Sequence, residues 1–247
     1  MRSDFTFALT FLAIAVACPW LAARRAELPF VMWPAVAFLT VSLAYFTGRV
    51  ELFGKRSDGS RHWLATLILL PYLVLARVVW RLQLAFSREP AADVVNDQLI
   101  VSRRLRRHEL PADVSLICDL TSEFLDPRSI REAPGYFCFP ILDASVPRPQ
   151  DLARCLSQLR PAAGTRVLIH CAKGHGRTGL VAAAWLLATG TVTSIDQALA
   201  LLHQARPGLS LNQQQRKFLV EIQSMYHNPA KPTSGADGAG ESDANKL

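Results

Sequence analysis

The sequence predicts an α/β domain preceded by an N-terminal region of membrane helices. Two long segments without a charged residue, 5–23 and 28–48, stand near the start of the chain. From about residue 91, short β-like runs alternate with helical patterns, as they do in α/β domains. The chain therefore divides into a membrane region at 1–90, a folded domain at 91–227 and a tail at 228–247.

The first two segments are each long enough to cross a bilayer. A hydrocarbon core of about 30 Å needs about 20 residues of helix, and these segments hold 19 and 21 residues. A cleaved signal peptide is the alternative for 5–23, but its apolar core is usually only about 7–15 residues long. A second apolar segment also follows almost at once. We expect both segments to be retained as membrane helices.

A third apolar segment, 63–80, leaves two arrangements open. It carries Pro71 in its middle and Arg77 near its end, and Trp63 and Trp80 stand at its boundaries. Because tryptophan favours the membrane interface, the segment is either a third span or a bent helix that lies in the interface. A third span would place the folded domain on the opposite side of the membrane from residues 49–62.

The distribution of basic residues predicts the side on which the loop 49–62 lies. This loop carries four basic residues, against two between the first two segments, at 24 and 25. The positive-inside rule therefore places the loop in the cytoplasm. The five cysteines show no paired spacing, which favours a reducing compartment. We expect an integral protein of a bacterial inner membrane with its folded domain in the cytoplasm.

The formal net charge of +7 indicates which partners the chain would take. Part of it comes from the run Arg103–Arg104–Leu105–Arg106–Arg107. Attraction to anionic headgroups is worth about 1 kcal/mol for each basic residue near a membrane surface. Nucleic acid is excluded as a partner because the run has no interleaved aromatic residues and no supporting fold signal. Membrane lipids are the expected partners.

The folded domain contains four predicted strands and four predicted helices. The strands are expected at 98–101, 114–120, 136–140 and 166–169, where short apolar runs are bounded by turn residues. The helices are expected at 150–159, 177–188, 194–205 and 212–225. Residues 228–247 lack apolar periodicity, so the sequence predicts a disordered tail.

The glycine-rich loop after the last predicted strand allows several interpretations, of which three fail. Residues 174–179 match G-x-G-x-x-G, but a dinucleotide site needs a following strand that ends in an acidic residue, and Asp196 lies in a helix instead. A phosphate-binding Walker loop would end in G-K-[ST]. A zinc site built on His170, Cys171 and His175 lacks a fourth ligand. We expect no cofactor and no metal.

The remaining interpretation is a phosphate cup with a nucleophile at its base. A tight turn from a strand into a helix points consecutive amides inward, and the helix dipole reinforces them. Cys171 at the floor of such a cup is stabilised as a thiolate. Arg177 offers a planar fork to two phosphate oxygens, and Thr178 can direct its hydroxyl at the sulfur. The predicted phosphate-binding residues are Ala172, Lys173, Gly174, His175, Gly176 and Arg177.

The segment His-Cys-x2-Gly-x2-Arg-Thr-Gly at 170–179 resembles the signature loop of the cysteine-dependent protein tyrosine and dual-specificity phosphatase superfamily. The resemblance extends over about Asp93 to Tyr226. It implies a central mixed sheet flanked by helices. It also implies a phosphoric monoester hydrolase that works through a cysteinyl-phosphate intermediate without a cofactor.

Phosphoryl transfer to a cysteine also needs a general acid, for which five aspartates are candidates. These are Asp113, Asp119, Asp126, Asp143 and Asp151. Asp143 stands at the exit of a predicted strand, in a proline-bounded loop 28 positions before Cys171, and the resembled family places its acid in this region. We expect Asp143 to be the acid, His170 to order the loop, and Asn212 and Gln215 to position water or the loop.

The sequence leaves the substrate open between a phospholipid and a phosphoprotein. Lys173 and His175 add basic side chains within the loop, and lipid-directed members of the resembled family often have basic residues there. Membrane helices would hold the site near headgroups. A catalytically silent module that binds phosphorylated partners in the same cup is the alternative to an enzyme.

Overall fold

The structure is a computed structural model that describes residues 3–22, 28–160 and 163–227. The predicted disordered tail at 228–247 and the basic pair at 24 and 25 lie outside these residues.

The helices and strands alternate along the second part of the chain as predicted. The helices are α1 (Ser3–Ala22), α2 (Leu28–Thr47), α3 (Trp63–Phe86), α4 (Arg128–Arg131), α5 (Pro149–Gln158), α6 (Gly176–Ala188), α7 (Ile195–Ala205) and α8 (Gln213–His227), and a 3-10 turn spans Val50–Phe53. The strands are β1 (Ala92–Asn96), β2 (Leu99–Arg103), β3 (Val114–Thr121), β4 (Tyr136–Ile141) and β5 (Arg166–Cys171).

The strands form one five-stranded mixed sheet in the order β1-β2-β5-β3-β4. Strand β1 pairs with β2 in the antiparallel direction, and the other pairings are parallel. The four predicted strands are confirmed, and the predicted mixed sheet flanked by helices is confirmed with them. The sequence did not predict β1, whose residues are only half-buried at the edge of the sheet.

Strand β5 occupies the centre of the sheet, and its position explains its composition. It lies between β2 and β3, and five of its six residues are buried. Helix α6 continues the chain and is buried from Arg177 to Leu186. In parallel sheets, ligands bind beyond the carboxyl ends of the strands. The chain therefore carries Cys171, the last residue of β5, to the edge of the sheet where such sites form.

The N-terminal helices pack on one another through aromatic and small apolar side chains. Phe11 lies in ring contact with Phe38, Tyr45 and Tyr72, which brings α1, α2 and α3 together. Leu142, which precedes Asp143, belongs to the same buried cluster. The loop that follows β4 therefore packs directly on the N-terminal helices.

Among the described residues, α3 alone is long and apolar enough to cross a membrane by length and composition, with a mean hydropathy of 1.9. The described apolar parts of α1 and α2 are shorter, at Asp4–Trp20 and Met32–Thr47. The three predicted apolar segments thus all form helices, and α3 continues six residues beyond the predicted segment 63–80.

Helix α3 contacts the folded domain close to both of its ends. Just before it begins, the Arg61 guanidinium donates to the Ser122 carbonyl at 2.6 Å. Near its other end, the Trp80 indole nitrogen donates to the Ala172 carbonyl at 2.9 Å. The helix runs about 26 Å between Trp63 and Trp80. It therefore lies along the domain and does not lead away from it.

Candidate active site

The loop between β5 and α6 wraps around the sulfur of Cys171. The side chain is almost fully buried, with 3% of the residue exposed. The backbone amide of Gly174 donates to Sγ at 3.3 Å. An amide that points at the sulfur is the arrangement that stabilises a thiolate at the start of a helix. The Gly174 amide therefore faces the sulfur, as the predicted phosphate cup requires, and the cup itself stays a prediction.

Gly174 is required by the close approach of strand β2. Its φ is +77°, and a Cβ atom there would lie 2.6 Å from the Ser102 carbonyl oxygen and 2.7 Å from the Arg103 amide nitrogen. Backbone atoms cannot move aside for a side chain, and a left-handed φ favours glycine independently. Any other residue at this position would displace the loop.

Arg177 is fixed by Glu123, a residue that no sequence pattern marks as functional. The two guanidinium nitrogens of Arg177 lie 2.8 Å and 2.7 Å from the two carboxylate oxygens of Glu123. A third bond goes to the Ile141 carbonyl at 3.0 Å. Such a two-pronged pair fixes the plane of the guanidinium. An acidic residue just after β3 was visible in the sequence, but its partner was not.

The ion pair also sets the charge of both residues. Burial favours the neutral form of each, but their mutual attraction outweighs it, so the pKa of Arg177 is raised and the pKa of Glu123 is lowered. Both side chains therefore stay charged. The guanidinium is held ready as a cation beside the loop.

Asp143 lies at the rim of the site, immediately after β4. Its side chain is 61% exposed, and its Oδ1 lies 3.2 Å from a guanidinium nitrogen of Arg177. Among the described ion pairs, no other of the five candidate aspartates contacts Arg177. Of the four residues predicted for the chemistry, Asp143 contacts Arg177, the charge of Cys171 acts on the same guanidinium, and Thr178 directly follows Arg177. Their catalytic roles stay predictions.

The loop that carries Asp143 is held by α8 and the segment before it. Asn212 donates through Nδ2 to the Ala144 carbonyl at 2.6 Å, and Gln215 donates through Nε2 to the Ser145 carbonyl at 3.3 Å. Ala144 has a φ of +58°, a left-handed conformation that alanine rarely adopts. Asn212 and Gln215 thus fix the loop at a strained turn beside Asp143.

The remaining predicted loop residues divide by what their side chains touch. Thr178 is fully buried, and its hydroxyl has no hydrogen-bond partner among the described residues. Lys173 is exposed. His175 places Nε2 2.7 Å from Oε2 of Glu89, so its imidazole is engaged by the segment after α3. No pattern in the sequence indicated this contact between distant residues.

His170 belongs to a buried group of charges behind the loop. Its Nε2 lies 3.0 Å from Oδ2 of Asp126. Burial would lower the pKa of His170, but the charge of Asp126 and their hydrogen bond raise it. Asp126 also faces Arg104, with 3.3 Å between Oδ1 and Nε. His170 thus ties the end of β5 to the segment after β3, and its role in ordering the loop stays a prediction.

A second buried ion pair links the loop 49–62 to strand β3. Lys55 Nζ lies 2.6 Å from Oδ2 of Asp119, and it also donates to the carbonyl and hydroxyl oxygens of Thr121. Burial opposes both charges, yet the pair raises the pKa of Lys55 and lowers the pKa of Asp119. Tyr136 donates to the same carboxylate at 3.0 Å.

Three of these buried groups are close enough to hold a metal ion. Candidate ligand atoms of Asp119, Asp126 and His170 lie within 4.8 Å of one another. Both carboxylates already face a cation of the chain itself, Lys55 for Asp119 and Arg104 for Asp126. A divalent cation would have to displace a buried ammonium or guanidinium, so the donor set fits an internal charge network better than a metal site.

Part of the folded domain matches a known family model. Residues 135–225 match the family model described as dual specificity phosphatase, catalytic domain. No curated protein matches the chain.

The chain is similar to solved structures over slightly more than half of its length. Tk-PTP in its active form is 29% identical, with a TM-score of 0.49, over 55% of this chain and 97% of that one. PTPMT1 in complex with PI(5)P is 16% identical, with a TM-score of 0.51, over 57% of this chain and 100% of that one. Human DUSP28 is 20% identical, with a TM-score of 0.49, over 56% of this chain and 97% of that one.

Proposed function

We infer that the chain is a phosphoric monoester hydrolase of the dual-specificity and protein tyrosine phosphatase superfamily, and that it transfers the phosphoryl group of its substrate to Cys171. The observation that carries the proposal is the contact of Asp143, from the loop after β4, with Arg177, which follows Cys171 in the loop after β5. A nucleophile, a fixed cation and an acid are the three groups that this reaction needs.

The first step forms a sulfur–phosphorus bond and breaks the bond between phosphorus and the leaving oxygen. The Cys171 thiolate supplies the electron pair for attack. Asp143 donates its proton to the leaving oxygen, so an alcohol departs rather than an alkoxide. Glu123 holds the edge of the Arg177 guanidinium formed by Nη1 and Nη2. In this proposal the phosphoryl oxygens bind the other edge, which carries Nε, a nitrogen without a hydrogen-bond partner among the described residues.

The second step returns the enzyme to its starting state. Asp143, now a carboxylate, takes a proton from water, and the resulting nucleophile attacks the phosphorus of the cysteinyl phosphate. The sulfur–phosphorus bond breaks and inorganic phosphate leaves. Thr178 has a buried hydroxyl without another partner among the described residues. In this proposal that hydroxyl donates to the departing sulfur and stabilises the thiolate.

The proposal places this chemistry at a membrane surface on the cytoplasmic side. Helices α1 and α2 coincide with the two segments that the sequence predicts to be membrane helices. The loop 49–62 is joined to the domain by the Lys55–Asp119 pair and by the bond from Arg61 to Ser122. Loop and domain therefore share one side, which the positive-inside rule assigns to the cytoplasm.

A phospholipid is the favoured substrate, and a phosphoprotein is the alternative outcome. The N-terminal helices pack against Leu142, next to the proposed acid, so the site would lie close to headgroups. Lys173 stands exposed two residues after the nucleophile, where it can meet a second anionic group of a headgroup. The fold also accommodates such a ligand, since PTPMT1 was solved in complex with PI(5)P.

Phosphate release from the full chain in vesicles tests the proposal. The two substrates are a phosphatidylinositol monophosphate and a phosphotyrosine peptide anchored to the same vesicles, and the variant Cys171→Ser is the blank. We expect turnover of the lipid with a kcat/KM at least about tenfold higher than that of the peptide. Residual turnover by Cys171→Ser would contradict the assignment of Cys171 as the nucleophile. A preference for the peptide would contradict the proposal that the substrate is a lipid, but it would leave the proposed phosphatase activity standing.

A second measurement separates headgroup recognition from catalysis. Lys173→Ala should raise KM for the lipid about ten- to a hundredfold, because it removes one charged contact to the headgroup. A small aryl phosphate has no second anionic group, so its KM should change little. Equal changes on both substrates would mean that Lys173 does not contact the headgroup.

A further inference from the structure

A cavity of about 630 Å³ lies between the C-terminal half of α3 and the segment after β2. Five of its lining residues are arginines: Arg77, Arg81, Arg104, Arg106 and Arg107. We call this cavity the arginine cleft. Neither Cys171 nor Asp143 lines it, so it is separate from the phosphate loop.

Four of these arginines form no side-chain ion pair in the described part of the chain, although the backbone amide of Arg106 donates to the Glu109 carboxylate at 2.7 Å. Arg77, Arg81, Arg106 and Arg107 are exposed and form none of the ion pairs found among residues 3–22, 28–160 and 163–227. Arg104 is the exception, since it faces Asp126. Burial lowers the pKa of Arg104, and the charge of Arg77 adds to this effect against that of Asp126. The cleft therefore gathers like charges that an anion would neutralise.

The surface of α3 beside the cleft indicates where the anion comes from. Leu67, Leu70, Val74, Val78 and Leu82 recur every three or four residues, and all five are exposed. This spacing places them on one face of the helix. The opposite face packs into the protein. An exposed apolar face with basic residues beside it is typical of a helix that lies in a membrane interface.

Arg77 and Arg81 are one turn apart on the same helix, beside that apolar face. Arginine side chains at such positions bury their stems in apolar surroundings and extend their charged ends to headgroups. A soluble anion would explain the arginines but would leave the apolar face without a partner. A lipid supplies both an anionic headgroup and acyl chains.

We propose that the arginine cleft binds the phosphate-bearing headgroup of an anionic phospholipid while the exposed face of α3 rests among the acyl chains. This proposal uses the membrane placement of the proposed function but none of its chemistry. The headgroup that binds here is not the substrate, because the cleft has no nucleophile. It is a lipid that seats the domain on the membrane.

The cleft is physically connected to the catalytic loop. The Arg104 guanidinium lies 5.2 Å above the Trp80 ring, so the two side chains are in contact. The Trp80 indole nitrogen and the Arg104 amide both donate to the Ala172 carbonyl, at 2.9 Å and 3.3 Å. Ala172 directly follows Cys171. A headgroup in the cleft would therefore steady the first residue of the phosphate loop and raise the rate of turnover.

The test compares two lipid surfaces with the full chain in nanodiscs. One contains phosphatidylcholine only, and the other contains phosphatidylcholine with phosphatidylglycerol. Phosphatidylglycerol is a phosphodiester, so a monoester hydrolase cannot consume it. Native mass spectrometry measures the affinity for phosphatidylglycerol. Hydrolysis of a soluble aryl phosphate measures the ratio of activities on the two surfaces.

Wild-type protein should bind phosphatidylglycerol in preference to phosphatidylcholine and should be more active on the mixed surface. The double variant Arg77→Gln/Arg81→Gln should lose about thirtyfold in affinity for phosphatidylglycerol, from two basic contacts at about 1 kcal/mol each. Its activity ratio should fall towards one. Arg106→Gln/Arg107→Gln, on the other wall of the cleft, should do the same, so misfolding of one variant cannot decide the result.

The matched control is Arg216→Gln/Lys217→Gln, which removes the same charge from exposed positions on α8. It should keep the wild-type affinity and activity ratio. An equal loss in this control would show that surface charge alone attracts the lipid, and it would overturn the site. Equal affinity of the wild type for both lipids would overturn it as well, whatever the outcome for the phosphatase substrate.

Discussion

Lys55 and Asp119 form an ion pair in which both side chains are fully buried, with 2.6 Å between Nζ and Oδ2. Lys55 comes from the loop between α2 and α3, and Asp119 comes from the strand beside the one that ends in Cys171. The register pairs Asp119 with His170, the neighbour of the nucleophile. The N-terminal region thus reaches the framework of the catalytic loop and is part of its support.

Lys55→Met should destabilise the protein by about 3–5 kcal/mol, because it leaves the Asp119 carboxylate buried without its cation. Unfolding in detergent, followed by circular dichroism, measures the change. The double variant Lys55→Met/Asp119→Asn should recover part of the stability, since it removes both charges. If Lys55→Met/Asp119→Asn is no more stable than Lys55→Met, the two side chains do not stabilise the fold as a buried ion pair.

Glu123→Gln should lower kcat about ten- to a hundredfold, because an amide cannot hold the Arg177 guanidinium as a carboxylate does. Steady-state hydrolysis of an aryl phosphate measures it. Glu132→Gln is the matched control, as Glu132 forms an exposed pair with Arg128 outside the site. Equal rates for the two variants would show that Glu123 does not position Arg177.

Asp143→Asn should cut the rate by about 10²–10⁴ for substrates with poor leaving groups and much less for those with good ones. It should also remove the basic limb of the pH–rate profile, which reports the general acid. Asp113→Asn provides the comparison, because Asp113 pairs with Arg166 at the opposite end of β5. If the pH–rate profile of Asp143→Asn is unchanged, Asp143 is not the general acid.

The loop 49–62 and the C-terminal tail should lie on the same side of the membrane. A cysteine introduced by Asp58→Cys and another at position 234 should both resist an impermeant maleimide in intact cells and react after permeabilisation. A cysteine at position 25 should react from outside. Labelling of the first two from opposite sides would make α3 a third span and would contradict the proposed arrangement.

The His170–Asp126 pair should make stability depend on pH. The pKa of His170 is raised in the folded protein above its ordinary value of 6.5. Its contribution is therefore complete below that value and declines as pH rises through the raised pKa. The free energy of unfolding lost in His170→Gln should be larger at about pH 6 than at about pH 9. The exposed His108→Gln should show a smaller difference between the two pH values.

The features that could be predicted from sequence are those that depend on residues close together in the chain. The phosphate loop places Cys171 and Arg177 within one short segment, and the turn that carries Asp143 is marked by prolines on both sides. The helices α5 to α8 follow from local periodicity. Strand β1 was not predicted because an edge strand with partly exposed residues shows no clear alternation of apolar and polar residues.

The features that were missed depend on side chains far apart in the chain. Glu123 lies 54 positions before Arg177, and Glu89 lies 86 before His175. The sequence does not show whether a single glutamate pairs with an arginine or is solvated by water, because the fold determines the pairing. For the same reason, the segment 63–80 alone could not choose between crossing a membrane and lying along the domain.

Helix α3 meets the domain through Arg61 ahead of it and Trp80 near its end. A domain on a flexible linker sweeps through a volume, whereas one held at two points keeps a constant height and one face towards the bilayer. Such an enzyme would find its substrate by lateral diffusion. Its rate would follow the mole fraction of substrate in the surface, so inert lipid would slow it while additional vesicles of the same composition would not.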